Sequence, residues 1–291
     1  MIEGVSVQLA SATESSVRLS LVGDGVVDLA GEWELYGPRC EHGRTLASTF
    51  RGKLTADKRI EFLVTEPCYW SAAMPFLYEL RRVGAGATND GVVHTLGLQR
   101  LSAHAVNLRL GGERIVLRGA VATALNEQTV REAHEAESAI IATAAKEILD
   151  LSAASRWGAT VLVDASSFAG DIQQLRQRLS WEPAVAALLH AAGVHDRTDE
   201  NAFLTGVVLP SQQWQDAVNS AGAQLIVADL AAGERPPAAL VALGKPVIAV
   251  RRSPEFASFA EARAACDRLQ AELAPEFNLA GYFAGHVRGA E

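Results

Sequence analysis

The first part of the chain, up to about residue 118, alternates apolar and polar positions in short runs. These runs are rich in alternating or β-branched residues, and glycine, proline or aspartate separates them, which is typical of half-buried strands. The predicted strands are Ser16–Val22, Gly31–Tyr36, Ile60–Val64, Leu77–Val83, Val92–Leu98 and Ala105–Leu110. Several short strands with regular turn signals predict a β-sandwich of about a hundred residues.

After Gly119 the pattern changes to apolar strands that alternate with amphipathic helical stretches. The predicted strands are Leu117–Ala122, Ala139–Thr143, Thr160–Val163, Val185–Leu189, Phe203–Leu209, Gln224–Ala228, Pro246–Val250 and Leu279–Phe283. Near-continuous apolar strands covered by helices indicate a parallel sheet. Eight such units close a (β/α)₈ barrel of the TIM type, here in fewer than the roughly 250 residues usual for that fold. We therefore expect a reduced barrel that lacks some helices, with an open sheet that lost a strand as the alternative.

These patterns predict two domains, a β-sandwich over residues 1–116 and a compact (β/α)₈ barrel over residues 117–291. The glycine-rich stretch GAGATNDG (Gly84–Gly91) lies between two predicted strands, and no helix follows it. A hairpin loop therefore explains it better than a phosphate-binding loop.

Composition excludes several classes of function. A net charge of −8 argues against nucleic-acid binding, which needs a basic face. No run of about eighteen apolar residues occurs, so we expect no membrane span, and the N-terminus lacks the pattern of a signal peptide, which predicts a cytoplasmic protein. Cys40, Cys68 and Cys266 fit no zinc pattern and are expected as thiols, although a Cys40–Cys68 bridge remains open. We expect no cofactor.

Three stretches carry a resemblance to a known family. They are TEPCYWSAAMPFLYELRRV (Thr65–Val83), HTLGLQRLSAHAVNLRLGGERIVLRGAV (His94–Val121) and KEILDLSAASRWGATVLVDA (Lys146–Ala165). In this order they resemble the end of the immunoglobulin-like domain, the bridge into the barrel, and the helix and third barrel strand of glycoside hydrolase family 2. That family contains β-galactosidases, β-glucuronidases and β-mannosidases. The resemblance implies an immunoglobulin-like sandwich followed by a TIM-type barrel, without the family's leading jelly-roll domain.

The resemblance also locates the family's two catalytic positions. Its members use a glutamate acid/base at the end of the fourth barrel strand and a glutamate nucleophile at the end of the seventh, as retaining glycosidases require two carboxylates. In this sequence Gly193 and Arg251 stand at those places. Glycine has no proton to give, and arginine stays protonated and cannot attack an anomeric carbon. The resemblance therefore implies a barrel without the family's chemistry, with Arg251 at its mouth.

Other polar residues follow the predicted barrel strands, where functional side chains of this fold lie. Asp164 and Asp229 end the third and sixth strands, His190 follows the fourth, and Arg252 follows Arg251. We expect both aspartates to cap the next loop or helix or to pair with Arg251, with hydroxyl binding or hydrolysis as the alternative. Because the two strands are nearly opposite, the separation that a retaining pair needs is not expected.

Two further features are candidates for ligand binding in the barrel. Trp181 and Trp214 could stack on a sugar ring at the mouth, with core packing as the alternative. The loop HDRTDEN (His195–Asn201) contains several metal-ligand residue types, but their spacing matches no ligand pattern. We expect a solvated loop and no metal.

Together these observations predict a catalytically inactive glycoside-hydrolase-like protein that binds or senses a carbohydrate. Arg251 and Arg252 would favour an acidic sugar or another anion. One alternative is a structural or partner-binding scaffold, which a mouth closed by Arg251 paired with Asp164 or Asp229 would favour. The other is a hydrolase with relocated catalytic carboxylates. A protein partner or a homo-oligomer also remains open.

Overall fold

The computed structural model describes residues 2–25, 29–83, 91–144, 149, 151–193, 203–219 and 222–288. Contacts divide the described residues into two compact units. The first contains the chain up to Arg100 together with Gly170–Pro183, and the second contains the rest of the described chain.

The first unit contains two antiparallel sheets. Its strands are β1 (Val5–Ala12), β2 (Ser16–Gly23), β3 (Glu32–Arg39), β4 (Ser48–Arg51), β5 (Lys53–Leu54), β6 (Ile60–Thr65), β7 (Leu77–Val83) and β8 (Val92–Leu96). They form sheets of order β1-β2-β6-β5 and β4-β3-β7-β8. Alternation along the strands supplies the core: Leu19, Leu35, Phe62 and Leu80 are buried in one cluster. The predicted sandwich is confirmed.

The strands on either side of the glycine-rich stretch pair antiparallel, as a hairpin requires. Leu80 of β7 lies opposite His94 of β8. Apart from Gly91, the stretch itself lies outside the described residues. Its flanking strands therefore fit the hairpin interpretation and not a strand–loop–helix phosphate motif.

The second unit is built on eight parallel strands in a closed barrel. Its strands are β9 (Leu101–His104), β10 (Asn107–Leu110), β11 (Glu113–Ile115), β12 (Leu117–Ala122), β13 (Ala139–Thr143), β14 (Val161–Asp164), β15 (Val185–Ala191), β16 (Leu204–Pro210), β17 (Leu225–Asp229), β18 (Val247–Phe256) and β19 (Gly281–Val287). Strands β12 to β19 close the barrel in sequence order, so the open-sheet alternative is wrong. Strands β9 to β11 form a separate small sheet.

Helices in the described part of the chain are few and mostly short, as expected for a reduced barrel. They are α1 (Glu127–Glu135), α2 (Ser152–Trp157), α3 (Ile172–Leu179), a 3₁₀ helix (Ser211–Asn219), α4 (Ala238–Val241) and α5 (Phe259–Leu273). Side-chain caps begin three of them: Asn126 for α1, Asp171 for α3 and Ser258 for α5. The helix α3 groups with the sandwich unit, not with the barrel.

Each barrel strand buries both of its faces, which explains the near-continuous apolar runs. The inner core contains Leu162, Val227, Ile248 and Val250. An outer core, which Val247, Ala249 and residues of α5 share, lies on the other side of the strands. Leu108 of β10 joins the inner core. The barrel interior is therefore packed, as in other barrels of this type.

Two simpler expectations concern membrane spans and cysteines. No helix among the described residues is long and apolar enough to cross a membrane. Cys40, Cys68 and Cys266 are all free, so the Cys40–Cys68 bridge is not formed.

Candidate functional site

Two adjacent arginines on β18 point to opposite sides of the barrel wall. Ile248 and Val250 belong to the inner core, whereas Ala249 belongs to the outer core. Because side chains alternate along a strand, Arg252 continues the inner row and Arg251 the outer row. The side chain of Arg252 therefore points into the mouth of the barrel.

Arg252 holds two carboxylates from different strands. Its Nε donates to Oδ2 of Asp229 across 2.8 Å, and its Nη2 donates to Oδ2 of Asp164 across 3.0 Å. Asp229 ends the neighbouring strand β17, but Asp164 ends β14, four strands away around an eight-stranded barrel. The guanidinium therefore crosses the lumen at its C-terminal end. One arginine side chain thus joins the two aspartates, which end strands on nearly opposite sides of the barrel.

This ion-pair cluster is largely buried. The Asp164 side chain is only 4% exposed, whereas Arg252 and Asp229 are 29% and 26% exposed. Asp164 also accepts a hydrogen bond from the backbone N–H of Ser166, so it caps the following loop as expected. Burial disfavours the charge of Arg252, but the charges and hydrogen bonds of Asp229 and Asp164 outweigh burial and raise its pKa. Arg252 thus remains a cation between two carboxylates.

A fourth polar residue at the mouth, His286, was missed by the sequence analysis. Burial, and next the positive charge of Arg252, lower the pKa of His286, so the ring is neutral near pH 7. It lies on β19 opposite Glu255 of β18, beyond the predicted ends of both strands. The stretch GYFAGHV contains this histidine, but a glycine such as Gly285 is typical of the end of a strand. In the structure Gly285 has φ +70° and the strand continues past it.

Arg251 lies away from the mouth, in contrast to expectation. Its Nη1 and Nη2 donate to the Glu272 carboxylate of α5, at 3.0 and 3.2 Å, and Nη2 also donates to the Glu234 carbonyl. The pair with Asp164 or Asp229 predicted for Arg251 is made by Arg252 instead. The reason is strand alternation, which a one-residue difference reverses.

Two further positions, His190 and Gly193, lie on or just after the fourth barrel strand. On β15, Ala187 and Leu189 belong to the inner core, so alternation places His190 on the other face, where it is 4% exposed. Gly193, at the position that the resemblance assigns to the acid/base, has φ +82°. A side chain there would be strained, since L-residues rarely adopt this conformation.

Neither tryptophan lies at the mouth. Trp181 is 1% exposed in the core of the first unit, where its Nε1 donates to the Val5 carbonyl and its ring meets His94 edge-on at 4.8 Å. Trp214 packs against the outer core of the barrel. The core-packing alternative therefore accounts for both, because each hydrophobic cluster buries a nearby large ring.

The remaining candidate, the loop His195–Asn201, lies outside the described residues. Within the described part of the chain, no three histidine, cysteine, aspartate or glutamate side chains are grouped as a metal ion requires.

Comparison with solved structures identifies the fold. A β-glucuronidase from Bifidobacterium dentium, complexed with coumarin-3-O-glucuronide, matches with a TM-score of 0.62 at 9% identity, over 96% of this chain and 59% of that one. The β-glucuronidase of Ruminococcus gnavus matches with 0.63 at 9% identity, over 99% and 62%. A glycosyl hydrolase family 2 member from Bacteroides cellulosilyticus matches with 0.60 at 14% identity, over 98% and 44%.

The chain has the fold of family 2 glycoside hydrolases. It spans about 60% of the length of the first of these β-glucuronidases. No protein-family model matches the sequence, and no curated protein matches it either. The sandwich and the closed barrel therefore rest on structural likeness at low identity.

Proposed function

We propose that this chain is a non-hydrolysing relative of family 2 glycoside hydrolases that binds a carbohydrate at its barrel mouth. The observation that carries the proposal is the Asp164–Arg252–Asp229 cluster, which occupies the inward-facing positions at the C-terminal end of the barrel. In this fold that end is where ligands are bound and transformed.

The cluster argues against hydrolysis. A retaining glycosidase needs one carboxylate free to attack and a second carboxyl group able to deliver a proton. Here Arg252 donates to Oδ2 of both Asp164 and Asp229, so neither carboxylate stands free of a cationic partner as an attacking nucleophile would. The resemblance assigns the catalytic pair to the positions of Gly193 and Arg251. Neither residue can act as the acid/base or as the nucleophile.

The same cluster suits binding. About a quarter of the Asp229 and Arg252 side chains is exposed, so carboxylate oxygens and guanidinium N–H groups remain available to sugar hydroxyls. Their mutual ion pairs fix both side chains before a ligand arrives, which reduces the entropy lost on binding. Complexes of neighbouring structures with coumarin-3-O-glucuronide and with D-glucuronic acid support a carbohydrate as ligand class.

A structural or partner-binding scaffold is the second candidate, and one observation favours it. Arg252 spans the lumen from β18 to β14, so its side chain occupies space that a ligand would otherwise use. Only the exposed part of the cluster is left for a ligand. A scaffold would need no ligand there at all.

Calorimetric titration distinguishes these functions. The protein is titrated with methyl β-glucoside, β-galactoside, β-mannoside and β-glucuronide, with the exposed-surface variant Arg51→Gln as control. Saturable heat that ends at full occupancy supports a non-hydrolysing binder. Heat that continues at a constant rate shows turnover and contradicts the proposal. If none of the sugars gives heat of binding, the scaffold function is favoured.

A further inference from the structure

We infer that the mouth selects uncharged sugars over uronic acids, and that Asp229 and Arg252 set this selectivity. The inference rests on the proposed function and specifies its ligand class. It reverses the sequence-based expectation that the two arginines attract an acidic sugar.

The charges at the described mouth sum to a negative value. Asp164 and Asp229 each contribute one negative charge, and Arg252 contributes one positive charge. His286 is neutral because burial and Arg252 lower its pKa. Glu255, which faces His286, is paired with Arg288 at 2.6 Å. The cluster therefore holds one net negative charge, which repels a carboxylate ligand.

Neither arginine is free to compensate. A uronate is normally recognised by a guanidinium that offers parallel N–H donors to the carboxylate. Arg252 already directs Nε and Nη2 at two aspartates, and Arg251 lies on the outer face, bonded to Glu272. Nη1 of Arg252 is left for a uronate, but a parallel pair of N–H donors would have to compete with Asp164 or Asp229 for the same guanidinium.

An uncharged sugar meets no such obstacle. Its hydroxyl groups donate to the exposed oxygens of Asp229 while Arg252 keeps both of its ion pairs. Because the carboxylate has spare acceptor positions beyond the one used by Arg252, it can hold a hydroxyl and the guanidinium together. The neighbouring enzymes that are named as β-glucuronidases, by contrast, take a charged sugar.

The substitution Asp229→Asn tests this assignment. Asparagine keeps the shape of the side chain and an oxygen that accepts from Arg252, but it removes one negative charge. Arg252 then retains Asp164 as its only ionic partner and can pair with an incoming carboxylate. Glu272→Gln is the matched control, since it makes the same charge change beside the outward-facing Arg251.

We measure the affinities of the wild type and both variants for methyl β-glucoside and methyl β-glucuronide by titration. Changes in the ring NMR signals of His286, which are assigned by comparison with His286→Gln, show whether the sugar binds at the mouth. We expect the wild type to bind the glucoside at least about tenfold more tightly, since like charges repel. Asp229→Asn should bind the glucuronide about tenfold more tightly than the wild type does. Glu272→Gln should change the affinity for neither sugar.

The outcomes separate the inference from the proposed function. A wild type that binds the glucuronide as tightly as the glucoside, or an Asp229→Asn variant with unchanged preference, overturns the selectivity and leaves carbohydrate binding intact. If no variant binds either sugar, carbohydrate binding itself is wrong, and the selectivity is rejected with it.

Discussion

Arg251 and Arg252 are neighbours in sequence but serve different layers of the barrel. Arg252 crosses the lumen to Asp164, whereas Arg251 joins the strand to α5 through Glu272. The family resemblance places a nucleophile at residue 251, yet the side chain that reaches the mouth is that of residue 252. This one-residue difference decides which substitutions affect the site.

Removal of Arg252 should destabilise the protein strongly. Arg252→Met leaves Asp164, with a side chain 4% exposed, as an uncompensated buried charge. We expect a loss of roughly 3 kcal/mol in the free energy of unfolding. Arg251→Met should cost less, about 1 kcal/mol, because its partner Glu272 is 34% exposed.

Urea denaturation of both variants checks the difference. The double variant Arg252→Met with Asp164→Asn should recover part of the loss, since the buried charge is then gone. Equal destabilisation by the two single arginine variants would contradict the inward and outward assignment.

A glutamate at residue 251 should not create a glycosidase. Arg251→Glu restores the residue type of the family nucleophile, but alternation directs it toward Glu272 on the outer face. We expect lower stability, by about 1 kcal/mol for the lost exposed pair and the new repulsion, with no release of nitrophenol from aryl β-glycosides. Activity in this variant would mean that residue 251 faces the mouth.

The sequence predicts the architecture better than it predicts the site. All eight barrel strands could be located because each buries both faces and forms a continuous apolar run. Side-chain direction at the rim could not, because Ser253-Pro254 and Gly285 resemble strand ends, although β18 and β19 continue past them. For that reason the sequence did not predict His286 as a residue of the mouth.

The tryptophans show a second limit of the sequence. A large ring after a predicted helix indicates burial, but it does not say in which core. Trp181 follows α3 in the barrel half of the chain, yet α3 packs with β1 and the ring joins the core of the first unit. Only contacts distant in sequence, such as the hydrogen bond from Trp181 to Val5, decide this.

Trp181 should therefore matter for stability and not for ligand binding. Trp181→Ala removes a ring that is 1% exposed and leaves the Val5 carbonyl without its donor. We expect a loss of about 3–5 kcal/mol, measured by thermal or urea unfolding. Trp181→Phe should lose less and should bind methyl β-glucoside as the wild type does. A binding defect in the folded Trp181→Phe variant would return Trp181 to the ligand site.

His94 should make the stability of the sandwich unit sensitive to acid. Burial, with a smaller contribution from the N-terminal charge, lowers the pKa of His94 from 6.5 to about 4. Between these values the unfolded chain binds a proton that the folded chain does not, so stability falls as the pH drops from about 6.5 toward 4. Above about pH 6.5 the ring is neutral in both the folded and the unfolded chain, so His94 does not lower the free energy of unfolding there.

His94→Phe keeps an aromatic edge against Trp181 but cannot be protonated. Unfolding free energies measured at pH 7, 6, 5 and 4 should decline less in His94→Phe than in the wild type, while the exposed His104→Gln should follow the wild type. Parallel curves for His94→Phe and the wild type would show that His94 does not carry the effect.

We propose that this protein hydrolyses no glycoside, and a turnover assay tests this most directly. The protein is incubated at high concentration for hours with 4-nitrophenyl β-glucoside, β-galactoside, β-mannoside and β-glucuronide, and released nitrophenol is followed by absorbance. We predict no release above a heat-denatured control. Release that scales with protein concentration and disappears in Asp164→Asn or Asp229→Asn would contradict the account and would assign catalysis to those carboxylates.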